Sequence, residues 1–128
     1  MKLLLDTCTF LWITTGSPAL SRRAREMFTD PANEVFLSVV SGWEMALKHS
    51  LGRLPLPEPP WQFVAAQRES HGIRALALEE EAVLHVARLP KLHADPFDRM
   101  LVCQAIVHEL TLLSPDDLIG QYAVRMVW

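Results

Sequence analysis

The chain has 128 residues, half of them hydrophobic and 21% charged, with a formal net charge of −3. That composition suits one globular domain rather than a disordered chain, and speaks against a partner held by bulk attraction to a phosphate backbone. No run approaches the roughly 18 apolar residues of a membrane span. Two cysteines, Cys8 and Cys103, are too few for a disulfide framework or a zinc site. The expectation is a protein of the reducing cytoplasm with no membrane partner, its cysteines acting as small buried hydrophobes.

Residues 2–5 read as a short, buried strand. The opening MKLLLDTCTFLW imitates a signal peptide, but Asp6 breaks the apolar run after three leucines and no small-residue cleavage site follows. Residues 7–15 and 21–29 read as helices, the second with Ser21 as its N-cap. Val35 to Val40 is a β-branched apolar run of strand length. Ser41-Gly-Trp-Glu44 opens the next helix, which Gly52 ends. The segment GRLPLPEPP at 52–60 carries four prolines and reads as a stiff connector. Residues 60–71 read as helix with Pro60 in the first turn, 73–76 as strand, and 79–88 as a helix with acids first and a base last. Asp95-Pro96 starts a long apolar helix running to about Glu109. A strand at 110–113, a short helix at 116–122 and a last strand at 124–128 complete the chain. Strands alternating with helices throughout imply an α/β fold with a parallel sheet covered on both faces, one domain over residues 1–128.

In an open parallel sheet, ligands bind beyond the carboxyl ends of the strands. Four acids stand at such places: Asp6, Glu44, Asp98 and Asp116. Each also has a plainer reading. Ser41-x-x-Glu44 is a capping box, Asp95 is a good N-cap with Asp98 in the first turn behind it, and Asp116 or Asp117 could cap the helix that follows. Taken together, the four point to one rim, where like charges repel unless a divalent cation joins them. That is the pattern of a hard-metal site taking Mg²⁺ or Mn²⁺, one ion or two. Lys48, His93 and Arg99 flank two of these positions and are candidates for phosphate contacts. His93-x-Asp95 imitates ligand spacing, although a histidine before a helix is more often a surface or substrate-contacting group. Arg22, Arg23 and Arg25 read as a solvated helix face. No phosphate-binding glycine loop and no nucleophile elbow is present. Trp12, Trp43, Trp61 and Phe63 exceed what a small core must bury and suggest an interaction surface.

The chain resembles a PIN domain, and specifically a VapC-type toxin ribonuclease, over essentially its whole length. The resemblance is carried by LLLDTCTFLW (residues 3–12), Ser-Gly-Trp-Glu (41–44), HADPFDRMLVCQA (93–105) and LTLLSPDD (110–117). It implies a three-layer α/β/α sandwich and a Mg²⁺- or Mn²⁺-dependent endoribonuclease whose metal-binding acids fall on Asp6, Glu44, Asp98 and Asp116. Asp95 is an extra acid placed to bind metal, orient a ligand or cap. Ser114 stands where the family usually has a hydroxyl before its last Asp, and the doubled Asp116-Asp117 leaves open which carboxylate faces the site. The resemblance also implies a cognate VapB antitoxin, a homodimer, and structured RNA cut in single-stranded loops. An alternative of another class is a catalytically silent PIN-fold domain that binds RNA or a partner. A haloacid-dehalogenase-like phosphohydrolase fits poorly, because Asp6-Thr-Cys-Thr9 lacks that family's second acid.

Overall fold

The computed structural model describes all 128 residues, Met1–Trp128. Five strands, β1 (Lys2–Leu5), β2 (Glu34–Ser38), β3 (Arg74–Leu76), β4 (Thr111–Leu113) and β5 (Met126–Val127), form one parallel sheet in the order β3-β2-β1-β4-β5. Six helices cover it: α1 (Thr7–Thr15), α2 (Arg22–Thr29), α3 (Val39–Ser50), α4 (Pro60–Ser70), α5 (Glu80–His85) and α6 (Pro96–Val107).

The central strand explains the layering. Leu3, Leu4 and Leu5 are fully buried, as a strand with partners on both sides and helices on both faces requires. Alternate side chains then feed separate cores. Leu3 and Leu5 pack with Val35, Leu37 and Leu113 under Phe10, Ala24 and Phe63 from α1, α2 and α4. Leu4 packs with Leu112 under Leu101, Val102 and Ala105 from α6, joined by Ile119 and Tyr122. Each such leucine contributes about 1.5–3 kcal/mol through burial. The result is the expected three-layer α/β/α sandwich.

Several boundaries differ from the sequence reading. The strand expected over residues 35–40 stops at Ser38, whose hydroxyl accepts from the Val40 N–H at 3.0 Å and caps α3. Ser41 is therefore not the cap, and Glu44 lies in the second turn rather than in a capping box. β-Branched Val39 and Val40 gave the strand signal, but a cap immediately before them and the burial of Val40 in the second core decide for helix. The helix expected over residues 116–122 is a single 3₁₀ turn at Ile119–Gln121. Asp116 Oδ1 takes the Leu118 N–H at 2.9 Å, a local side-chain bond that competes with helix. The helix expected over 79–88 divides into α5 and a 3₁₀ turn at Val86–Arg88.

Burial corrects three further expectations. Cys103 is buried, but Cys8 keeps solvent exposure beside the acidic rim, its thiol partly shielded. Phe63 belongs to the core, and Trp12 is half-buried against Trp128, with ring centroids 5.7 Å apart. Trp43 and Trp61 do remain at the surface, 60% and 77% exposed. No helix is long and apolar enough to cross a membrane.

Candidate functional site

Sheet register brings the site together. Leu5 of β1 pairs with Leu37 of β2 and Leu113 of β4, so the next residues, Asp6, Ser38 and Ser114, leave the carboxyl edge side by side. Asp6 caps α1 by accepting the Thr9 N–H on Oδ1 at 2.8 Å. Its Oδ2 accepts a short hydrogen bond from the Ser114 hydroxyl. Ser114 Oγ in turn accepts the Asp116 N–H at 3.1 Å. One buried serine thus links the acid after β1 to the acid after β4.

Glu44 reaches the same edge from the second turn of α3. The Thr7 hydroxyl donates to its Oε1 at 2.7 Å and lies 3.0 Å from Ser41 Oγ, while Lys48, one turn on, donates to Oε2. Asp98, in the first turn of α6, and Asp116 share one neighbour: His93 Nε2 lies 3.1 Å from an oxygen of each. Ligand-capable atoms of His93, Asp98 and Asp116 all fall within 4.8 Å of one another. Asp95 caps α6, its Oδ1 accepting the Phe97 and Asp98 N–H groups at 2.8 and 3.2 Å. Asp117 is exposed, so Asp116 is the member of the doubled pair that joins the cluster.

Charge is poorly balanced here. Burial, followed by the negative charges of Asp95, Glu44 and Asp6, pushes the Asp98 carboxyl up to about 7, with His93 pulling the other way. Burial raises Asp6 as well, and hydrogen bonds from Ser114 and Thr9 offset part of that rise. Asp6 and Glu44 stand outside the tight trio, yet both act on Asp98 through space. The Cys8 thiol is driven up to about 11 by burial and by the carboxylates of Asp6, Glu44 and Asp98. Lys48 is the cluster's cationic neighbour, and its hydrogen bond to Glu44 raises its own proton affinity. Crowded oxygen donors with too little countercharge suit a hard divalent cation, so the residues present fit such an ion.

The three expected phosphate contacts take different places. Lys48 stays at the rim, its side chain 44% exposed. His93 is turned inward between two carboxylates. Arg99 is tied to protein groups, its Nη1 donating to Pro90 O at 2.8 Å and to the Tyr122 hydroxyl at 3.1 Å. The sequence reading missed Thr7 and Tyr122. A hydroxyl directly after Asp6 was the available signal for the first; for the second it was no more than the chain's one tyrosine.

The sequence pattern that defines the PIN domain matches residues 3–124. The chain belongs to the PIN domain family. Within it, one curated relative, Ribonuclease VapC16 of Mycobacterium tuberculosis (strain ATCC 25618 / H37Rv), is 33% identical over 61 residues. That stretch is 48% of this chain and 43% of the relative, so the chain matches less than half of the relative's length. Among solved structures, VapBC2 from Rickettsia felis, bound to a DNA fragment from its promoter, superposes with a TM-score of 0.74 at 11% identity, covering 99% of this chain and 98% of that one. VapBC-1 from nontypeable Haemophilus influenzae gives a TM-score of 0.70 at 17% identity over 99% and 97% of the two chains. A toxin–antitoxin complex from Klebsiella pneumoniae gives 0.61 at 14% identity over 98% and 96%. At such identities these structures show the PIN fold and nothing finer. In that fold the acids of this chain sit where open parallel sheets receive ligands.

Proposed function

We propose that this PIN domain is a divalent-metal-dependent endoribonuclease of the VapC type, hydrolysing RNA phosphodiester bonds and held in check by a VapB-type antitoxin. The observation that carries the reading is the crowding at the carboxyl edge of the sheet. Burial, with the negative charges of Asp95, Glu44 and Asp6, pushes the Asp98 carboxyl up to about 7, and Asp116 lies against the same His93 nitrogen. The relative named as a ribonuclease and the neighbours solved as toxin–antitoxin complexes support the same reading.

In this reading Asp6 and Asp98 hold the ion, Mg²⁺ or Mn²⁺, and Glu44 and Asp116 complete the site directly or through water, with Asp95 as a reserve acid that also caps α6. A divalent ion so held would supply Lewis acidity and make water a stronger nucleophile at neutral pH. The protein's own groups arrange the rest. Ser114 and Thr9 orient Asp6, and Thr7 fixes one oxygen of Glu44. Lys48, half in solvent beside Glu44, offers its ammonium to a phosphate oxygen that the acids would otherwise repel. Trp43, mostly exposed, precedes Glu44 in the chain and lies edge-on at 4.8 Å to Phe97, the residue before Asp98, so it presents a face to an unpaired base beside the acids. Water rather than the ribose 2′-hydroxyl is the expected nucleophile, leaving a 3′-hydroxyl and a 5′-phosphate.

The partner reading rests on apolar surface. Exposed Trp61, with Val39, Ala46 and Val64, borders a cleft of about 470 Å³ between α3 and α4, the kind of surface an amphipathic antitoxin segment would cover. A homodimer acting in the reducing cytoplasm, with residues 1–128 as one nuclease unit, completes the proposal. Its test is incubation of the purified, partner-free chain with total tRNA and rRNA under Mg²⁺, Mn²⁺ or EDTA, beside Asp6→Asn, with product ends mapped. Metal-dependent cuts at discrete loop sites, lost in Asp6→Asn, are expected. Cutting that persists in EDTA, or 2′,3′-cyclic phosphate ends, would contradict it. RNA or antitoxin binding without cutting under any metal would favour a catalytically silent PIN domain.

A further inference from the structure

Both ring nitrogens of His93 have partners, and those partners fix where its proton sits. A backbone N–H can only donate, so the Asp95 N–H, 3.1 Å from Nδ1, requires Nδ1 to be the bare, accepting nitrogen. The proton of the neutral ring then lies on Nε2, the atom 3.1 Å from oxygens of both Asp98 and Asp116. A ring nitrogen that carries a proton has no lone pair to give a metal. Spacing alone makes His93 look like a third ligand beside the two acids; its hydrogen bonds make it a donor to Asp116, with Asp98 Oδ2 3.1 Å from the same nitrogen.

The ring's place is itself set from a distance. Three N–H donors converge on the buried Tyr122 hydroxyl: Leu92 N at 3.1 Å, His93 N at 2.9 Å and Arg99 Nη1 at 3.1 Å. The same Nη1 also donates to Pro90 O at 2.8 Å. Tyr122 is anchored in the second core and Arg99 follows Asp98 on α6. The loop carrying His93 is therefore clamped to the elements that deliver the two acids it bridges. Asp98 arrives on α6 and Asp116 after β4, and the His93 Nε2 that bonds Asp116 also lies 3.1 Å from Asp98.

We propose that His93 is a positioning residue, not a metal ligand: its Nε2–H, bonded to Asp116 and in contact with Asp98, holds Asp116 beside Asp98 for the cation, and Tyr122 with Arg99 aims it. This rests on the divalent-metal reading above. Groups that orient metal-binding carboxylates typically change metal affinity 10–100-fold when removed.

The test is long-range ¹H–¹⁵N NMR of the histidine rings in the full chain, without metal and with saturating Mg²⁺, joined to Mg²⁺ titrations. The Nε2-protonated tautomer is expected for His93 in both states. Tyr122→Phe, which keeps the ring in the core but removes the acceptor, is expected to mix the tautomers and weaken Mg²⁺ binding about tenfold. Arg99→Gln should move both readouts the same way, and serves if Tyr122→Phe does not fold. His93→Gln, which keeps an N–H donor, should retain Mg²⁺ affinity better than His93→Ala. A purely structural clamp would lower the melting temperature and leave tautomer and affinity untouched, which would overturn the inference. So would an unprotonated Nε2 in the Mg²⁺-loaded protein. Absence of any Mg²⁺-dependent shift at Asp98 and Asp116 would contradict the metal reading instead, and the tautomer of the metal-free protein would still decide this one.

Discussion

Leu5 and Asp6 are adjacent in the chain and lie on opposite sides of a sharp physical boundary. Behind it, Leu3, Leu4, Leu5, Leu112 and Leu113 are fully buried in two dry cores where every contact favours the fold. In front, strand register sets Asp6 beside the segment carrying Asp116, α3 and α6 bring Glu44 and Asp98 to the same edge, and their charges oppose one another. The first region supplies stability; the second consumes some of it to hold an arrangement useful with a cation present. Functional sites are where such local conflict is expected.

That contrast can be broken from either side. Leu4→Ala, at the centre of the sheet, should cost about 2–5 kcal/mol by leaving a cavity that neighbours cannot fill, read by denaturant unfolding. A loss under 1 kcal/mol would mean the core is more loosely packed than its burial indicates.

The rim should behave in the opposite sense, and pH reveals it. The Asp98 carboxyl has a folded-state pKa of about 7, above the ordinary value of 3.8. The folded protein therefore binds its proton more tightly than the unfolded chain does. Its contribution to stability is fully present below about pH 3.8 and is lost as pH rises through about 7. The raised Asp6 acts with the same sign. In EDTA the melting temperature should fall between pH 5 and 8, the Asp98 share being the equivalent of at most about 3 kcal/mol. Asp98→Asn should flatten that slope and melt higher than the wild type at pH 8. A wild-type melting temperature that rises over this range would sink the claim of crowded, uncompensated acids.

Cation binding should reverse the penalty. Mg²⁺ or Mn²⁺ at a hundred times its Kd should stabilise the fold by about 2.7 kcal/mol, with no such gain in Asp98→Asn. The smallest effect is expected on the far surface: Arg22 and Glu26 pair at 3.1 Å but are 93% and 65% exposed. Removing Glu26 should move stability by less than about 0.5 kcal/mol.

The same boundary separates what the sequence discloses from what it hides. The central strand is legible because Leu3, Leu4 and Leu5 are apolar at successive positions, and Asp6 is legible because it ends that run. Asp95-Pro96-Phe97-Asp98 announces α6 through a local cap, and the structure places that cap at Asp95. Signals that compete locally are less readable: Val39-Val40 has strand chemistry, yet Ser38 caps a helix there. Partners distant in the chain leave no pattern. Thr7 meets Glu44 across 37 residues, and Tyr122 meets His93 across 29. Nor does residue type alone show that Arg99 is committed to Pro90 and Tyr122, or that His93 turns inward. Those assignments depend on which loop the fold lays over the site.

If, as proposed, the rim holds a cation for cutting RNA, the decisive measurement is RNA cleavage by Asp98→Asn beside the wild type, at saturating Mg²⁺ or Mn²⁺, once both proteins are shown to be folded. Metal-dependent cutting by the wild type and a loss of more than about a hundredfold in the variant are predicted, since changes one shell further out cost 10–100-fold. A folded Asp98→Asn that cuts at the wild-type rate would contradict the claim.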